Sequence, residues 1–182
     1  PMPLVGGAWL PLAFIACGLG ALLAAVAWLA VAPALALQPH MHPHVVALAH
    51  VWLPGFLLSV CFGATYQLAP VVLGEPLAWE RVTWGHLGLH VIGLPLLVSG
   101  FISGNYGWVA GGGVLVAAGA LLFAANIIVA FSRSKRRDAI GWSLPLASGW
   151  LALTVLAGLA LATSRLGVTL PVSPLALLRA HA

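Results

Sequence analysis

Apolar residues run along this chain in blocks, separated by short breaks where the few polar and turn-forming residues collect. A spanning helix needs about 20 mainly apolar residues, and five blocks qualify: residues 8–37, 45–73, 84–103, 109–131 and 144–164. Pro33 interrupts the first, Pro54 and Pro70 lie in the second, and Pro95 lies in the third. Proline inside spanning helices is tolerated because neighbouring helices and side chains re-satisfy the freed backbone groups. The pattern predicts an all-α, polytopic membrane helix bundle of about five transmembrane helices in a single domain. A tail, residues 165–182, follows the last block.

Composition points the same way. The 182 residues are 62% hydrophobic and 5% charged, whereas soluble domains carry about 25% charged residues. So few charges cannot cover a surface facing water, and the expected solvent is the lipid bilayer. The N-terminus has neither a charged leader nor a cleavage site, so the first block is expected to be a retained helix. Cys17 and Cys61 lie within apolar blocks, where a buried thiol behaves as a small hydrophobe. Acids are almost absent, and nothing assembles a nucleophile with a base, which argues against a hydrolase.

The net charge of +4 centres on Arg133-Ser134-Lys135-Arg136-Arg137. Flanked by apolar blocks, this run reads as a topology signal and not as a nucleic-acid surface. It places the Arg133 to Arg137 loop on the cytoplasmic side, together with the 74–83 loop that carries Glu75, Glu80 and Arg81. The amino terminus is then inside. The 38–44 loop, the turn at Ser103-Gly104-Asn105 and the tail with Arg165 and Arg179 are outside. Trp9, Trp79, Trp84, Trp108 and Trp142 fall near helix ends, where an amphipathic indole prefers to sit. The expected location is a bacterial cytoplasmic membrane.

Seven histidines are the candidate chemistry. An ionisable group inside the bilayer is a functional-site hypothesis by default. His50 lies six residues beyond His44, roughly 9 Å below the outer end at the α-helical rise. A neutral imidazole there suits an axial haem ligand or an interhelical hydrogen bond. His86 and His90, at i and i+4, share one helix face and enter from the cytoplasmic end. Across a core of about 30 Å they belong to a different layer from His50, so one iron cannot take both His50 and His90. His40, His42 and His44 alternate along a segment that Pro39 and Pro43 are expected to hold extended. An extended segment there would project them to one side and, with Met41, suit copper, nickel or zinc. His181 stands in Leu-Arg-Ala-His-Ala and echoes Leu48-Ala49-His50. A helix entering there would bring a second imidazole to the depth of His50. Asn126, Tyr66 and Gln67 are further intramembrane polar groups, readable as interhelical glue.

The run His50, Gly55-Phe56, then Gly63-Ala-Thr-Tyr-Gln-Leu-Ala-Pro70 and Gly74 resembles the haem-ligand helices of subunit I in the haem-copper oxidase superfamily, which includes terminal oxidases and nitric oxide reductases. The stretch Trp84-Gly-His-Leu-Gly-Leu-His-Val-Ile-Gly93 looks like the helix that follows there. The resemblance covers about residues 44–101 and implies haem near the outer face with His50 as axial ligand. It departs at Leu48, where a His-x-His would be needed, and in the number of helices.

The expected function is therefore a haem b membrane protein that passes electrons. Its second ligand would come from His181, from another chain, or, at a separate haem, from the His86 and His90 layer. A quinol, a cytochrome or a catalytic subunit would be the redox partner, and self-association or other membrane subunits are expected. The alternatives are a copper or zinc handler using His40, Met41, His42 and His44, and a structural subunit whose histidines are glue.

Overall fold

The computed structural model describes residues 9–181. The expected Ala8 start and the final Ala182 lie outside them. The described chain is all-helical, with five helices long and apolar enough to cross a membrane. Helix α1 is Trp9–Val31, followed by a 3-10 turn at Pro33–Leu37. The second crossing is one rod of three parts: α2 (Pro43–His50), a π-helical segment (Val51–Leu58) and α3 (Ser59–Leu73). Then come α4 (Glu80–Ser103), α5 (Tyr106–Arg133), α6 (Ala139–Ser164) and the short α7 (Pro174–His181).

The hydropathy pattern underestimates most helix lengths for one reason. It marks where apolar residues begin, whereas helices begin at caps. Asn105 caps α5 by accepting from Trp108 N–H, and Asp138 caps α6 by accepting from Gly141 N–H at 2.9 Å. Both caps precede the starts of their apolar blocks, residues 109 and 144, by several positions. Conversely, the first block stops being α-helical at Val31, because Pro33 cannot continue the ladder. Gly74 (φ 68) and Gly104 (φ 70) end α3 and α4 in the left-handed region, the usual glycine stop.

Helix α5 is the hub. Over half of its apolar span is buried (56%), against 6% for α6. The cause is a line of small residues. A Cβ on Gly112 would collide with the Leu97 backbone, one on Gly93 would lie 2.7 Å from Leu115 Cβ, and one on Gly100 2.6 Å from Val109 N. Each glycine therefore lets α4 and α5 touch backbone to backbone, the packing that drives helix association in lipid. Helix α1 docks on the second crossing in the same manner. A Cβ on Gly63 would be 2.6 Å from Pro11 O, and one on Gly18 2.9 Å from Val60.

The two ends of the bundle separate as the charge pattern requires. At one end Ser134 Oγ donates to Leu73 O and Arg136 Nη1 donates to Val72 O. Both α5–α6 and α3–α4 connections therefore lie there. At the other end Arg165 stacks over the Tyr106 ring, 5.7 Å from its centre. These are called the inner and outer ends below. Trp9, Trp79, Trp84, Trp108 and Trp142 are all exposed.

Candidate functional site

Three histidine groups sit at three levels of the bundle. At the outer rim, the segment before α2 is a turn and not an extended strand, since His42 N–H donates to Pro39 O at 2.8 Å. The expectation of three imidazoles projected to one side therefore fails. The physical reason is that His42 is the N-cap of α2: its Nδ1 accepts from His44 N–H at 3.3 Å, and Pro43 takes the first helical position. The His42 and His44 rings lie 5.4 Å apart, and His44 Nδ1 is buried with no hydrogen-bond partner. His40 and Met41 are exposed. Among the described residues no group of three or more His, Cys, Asp or Glu is placed to hold a metal.

The second group joins two elements far apart in the chain. His50 closes α2, and His181 lies in the last turn of α7. Their rings are 6.2 Å apart, centre to centre, and inclined by only 24°. His50 Nδ1 donates to Val46 O at 2.8 Å, and His181 Nδ1 donates to Thr154 O at 2.9 Å. A carbonyl can only accept, so both rings carry their proton on Nδ1. Each Nε2 is then an unprotonated lone pair with no protein partner. Metal-bound histidines are held in this way, with the second ring nitrogen donating to a backbone carbonyl. Phe101 of α4 lies against His50 with ring centres 5.0 Å apart. Gly158 of α6 is what admits His181, since a Cβ there would lie 2.6 Å from the ring.

The third group fills the inner half of the core. His86 and His90 are essentially fully buried, at 0% and 2% exposure. Tyr66 Oη and His86 Nδ1 are hydrogen-bonded at 2.8 Å, as are Ser59 Oγ and His90 Nε2. Phe14, Phe62 and Phe123 enclose them, and Gly119 leaves the space that His86 occupies. These two histidines are packed tightly among side chains. The pair at His50 and His181 is half-buried.

His50, His86 and His90 are thus placed at separate levels, and His181 joins His50. Gly158, Thr154 and Ser59 carry no signal in the sequence that marks them as site residues. Glycine is too common here (21 residues) for one of them to stand out.

No family model, no curated protein and no solved structure matches this chain.

Proposed function

We propose that this chain is an integral membrane protein that holds haem b between His50 and His181 and passes electrons. The observation carrying the proposal is the pair itself, with both Nδ1 atoms engaged by carbonyls and both Nε2 atoms free. Two neutral imidazoles with ring centres 6.2 Å apart and free Nε2 atoms are the kind of donor set that would hold such a group. When bound, haem supplies one-electron chemistry. The chain's own residues hold both imidazoles as neutral ligands of fixed tautomer. Phe101 shields one of them from the bundle side, and the apolar surround keeps the site in low dielectric. The resemblance of residues 44–101 to subunit I of the haem-copper oxidases agrees with His50 as ligand. A bacterial cytoplasmic membrane with the N-terminus inside is the matching location. A quinol, a cytochrome or a further membrane subunit is the redox partner. The lipid-exposed face of α6 leaves room for such a subunit or for a second copy.

The test is the visible spectrum of detergent-purified protein, oxidised and dithionite-reduced, produced with ample haem supply. A sharp reduced α band is expected. His50→Ala should abolish haem retention or convert it to a five-coordinate high-spin form, and His181→Ala should give the high-spin form. A colourless wild-type protein overturns the reading.

One observation favours the second reading, copper or zinc handling at the rim: the unpartnered His44 Nδ1. Under that reading replacing His40, His42 and His44 abolishes metal binding measured by calorimetry, and His50→Ala leaves it intact.

A further inference from the structure

Helices α3 and α6 are tied together at the inner end. Ser134 Oγ donates to Leu73 O and Arg136 Nη1 donates to Val72 O, so both neighbours of Lys135 are anchored to the last turn of α3. Arg136 Nε also donates to Asp138, the cap of α6, at 2.9 Å. Further into the bilayer the two helices part around a crevice of about 140 Å³. Its walls are small side chains, Cys61 and Thr65 of α3 and Ala147 and Ser148 of α6. Its floor is Phe62 and Phe123, whose ring centres lie 4.7 Å apart. This buried aromatic pair props the helices apart, and the small side chains do not fill the gap. Cys61 and Ala147 are exposed at the two lips, so the crevice opens sideways to lipid.

Depth links the crevice to the loop below it. Thr65 and Leu144, at its inner end, each lie seven residues from the loop level, counted from Val72 and from Arg137. Seven residues rise about 10 Å, and the headgroup zone on either side of the hydrocarbon core is about 5–7 Å deep. The basic loop therefore stands at headgroup level, and the crevice begins just inside the hydrocarbon. Four cations, Arg133, Lys135, Arg136 and Arg137, meet one acid there, Asp138, which leaves an excess of three positive charges. Arg136 is held by Asp138 and Val72, and Arg137 by the Phe131 and Ser132 carbonyls. Arg133 and Lys135 are exposed, and neither side chain makes a hydrogen bond or ion pair among the described residues.

We propose that the crevice and the loop form one binding site for an anionic phospholipid, with an acyl chain between α3 and α6 and the phosphate on Arg133 and Lys135. Size excludes a helix as the occupant. A spanning helix is about 10–12 Å across with its side chains, whereas the crevice is a slot of about 140 Å³. Water does not suit it either, because an apolar cavity stays dry, and Ser148 turns its hydroxyl to Leu144 O at 2.8 Å. An acyl chain is narrow, flexible and available from the open side. The excess of positive charge then selects among headgroups, since basic clusters at a membrane surface attract anionic lipids. A chain seated there braces α6, whose apolar span is only 6% buried, against α3. The histidines take no part, so the site is independent of the haem reading.

The test uses the full chain, delipidated in detergent and titrated with phosphatidylglycerol or with phosphatidylcholine of the same acyl chains, with retention read by native mass spectrometry. Phosphatidylglycerol should be held about tenfold more tightly, because a phosphocholine head brings its own cation to a site that is already positive. Arg133→Gln combined with Lys135→Gln should remove that preference; both side chains are exposed and unbonded, so the fold is expected to survive. Ala147→Phe fills the crevice from one lip and should weaken retention of both lipids, with helix content checked by circular dichroism. A second measurement adds no bulk. In a Cys17→Ala chain, bound phosphatidylglycerol should slow the reaction of Cys61 with N-ethylmaleimide severalfold. Equal retention of the two lipids, or a preference that survives the double substitution, overturns the headgroup contact. An unchanged Cys61 rate, or a folded Ala147→Phe variant that retains lipid as before, overturns the seat between α3 and α6. None of these readouts needs haem, so a colourless protein leaves the lipid site standing.

Discussion

Single side chains in this protein act through what they do to backbone groups. Asn126 is buried at 1% exposure, and its amide bonds both backbone groups of Trp79. It accepts from Trp79 N–H at 3.2 Å and donates to Trp79 O at 3.3 Å. This clamps the start of α4 to α5. Trp79 O also accepts from Val82 N–H, so Asn126→Leu leaves the Trp79 N–H unpaired, and it should lower stability by about 1–3 kcal/mol, read from the thermal unfolding midpoint in detergent. Asp138 is a different case. The hydrogen bond from Arg136, and then the bond from Gly141 N–H, hold its carboxyl below the usual range. A depressed folded-state pKa stabilises the fold above the unfolded value of about 3.9, and that contribution is lost as pH falls through the folded value. Asp138→Asn keeps a capping side chain but removes the charge. Its melting temperature should therefore fall less than that of the wild type between pH 5 and pH 3. The pair is exposed, so the difference should be small.

At the scale of elements, the π-helical segment and the glycine contacts decide which side chains meet. Pro54 lacks an N–H, and its ring conflicts with the carbonyl four residues earlier, that of His50. The wider turn of Val51–Leu58 absorbs this conflict between His50 and Ser59, a common place for a π-bulge. Gly55 within it lets α1 approach, since a Cβ there would lie 3.2 Å from Ala21. Helix α7 depends on Gly158 in the same sense. Gly158→Leu should push His181 from Thr154 and, in haem-loaded protein, convert the spectrum from low to high spin without changing helix content by circular dichroism. Retention of the low-spin spectrum would show that His181 is not the second ligand. On the α4–α5 face, Gly112→Val forces a side chain into the Leu97 backbone. The expected loss is about 1–3 kcal/mol, the ordinary scale of overpacking.

The whole molecule has a polar inner end, an apolar middle and a histidine-rich outer end. All three acids, Glu75, Glu80 and Asp138, fall at the inner end with the Arg133–Arg137 run. The outer end carries Arg165 and Arg179 with His40, His42 and His44. Under the proposed topology, single cysteines at Lys135 and at His40, in a chain with Cys17 and Cys61 replaced by Ala, should differ in reaction with a membrane-impermeant maleimide. On intact cells only the cysteine at position 40 should label. The reverse pattern would invert the proposed topology and put the His50 level near the cytoplasm.

The amino-acid sequence by itself determined the class of fold, because 20-residue apolar blocks have one economical solution in lipid, the helix that satisfies its own backbone. It also marked the polar residues that matter, since few polar groups can hide in so apolar a chain: His50, His86, His90, Tyr66 and Asn126 were all legible as intramembrane groups. Their partners were not. That His50 meets His181 across 131 positions, while His86 and His90 turn to Tyr66 and Ser59, follows from α7 folding back onto α6 at Gly158 and from α3 and α4 packing in a particular rotation. The outer histidines show the converse. Their alternation suggested an extended metal-binding strip, but the capping geometry of Pro43 spent His42 on a helix end. Periodicity records which face of a helix is apolar. Which two faces meet is set by glycine-sized contacts between distant segments, and only the tertiary structure decided that.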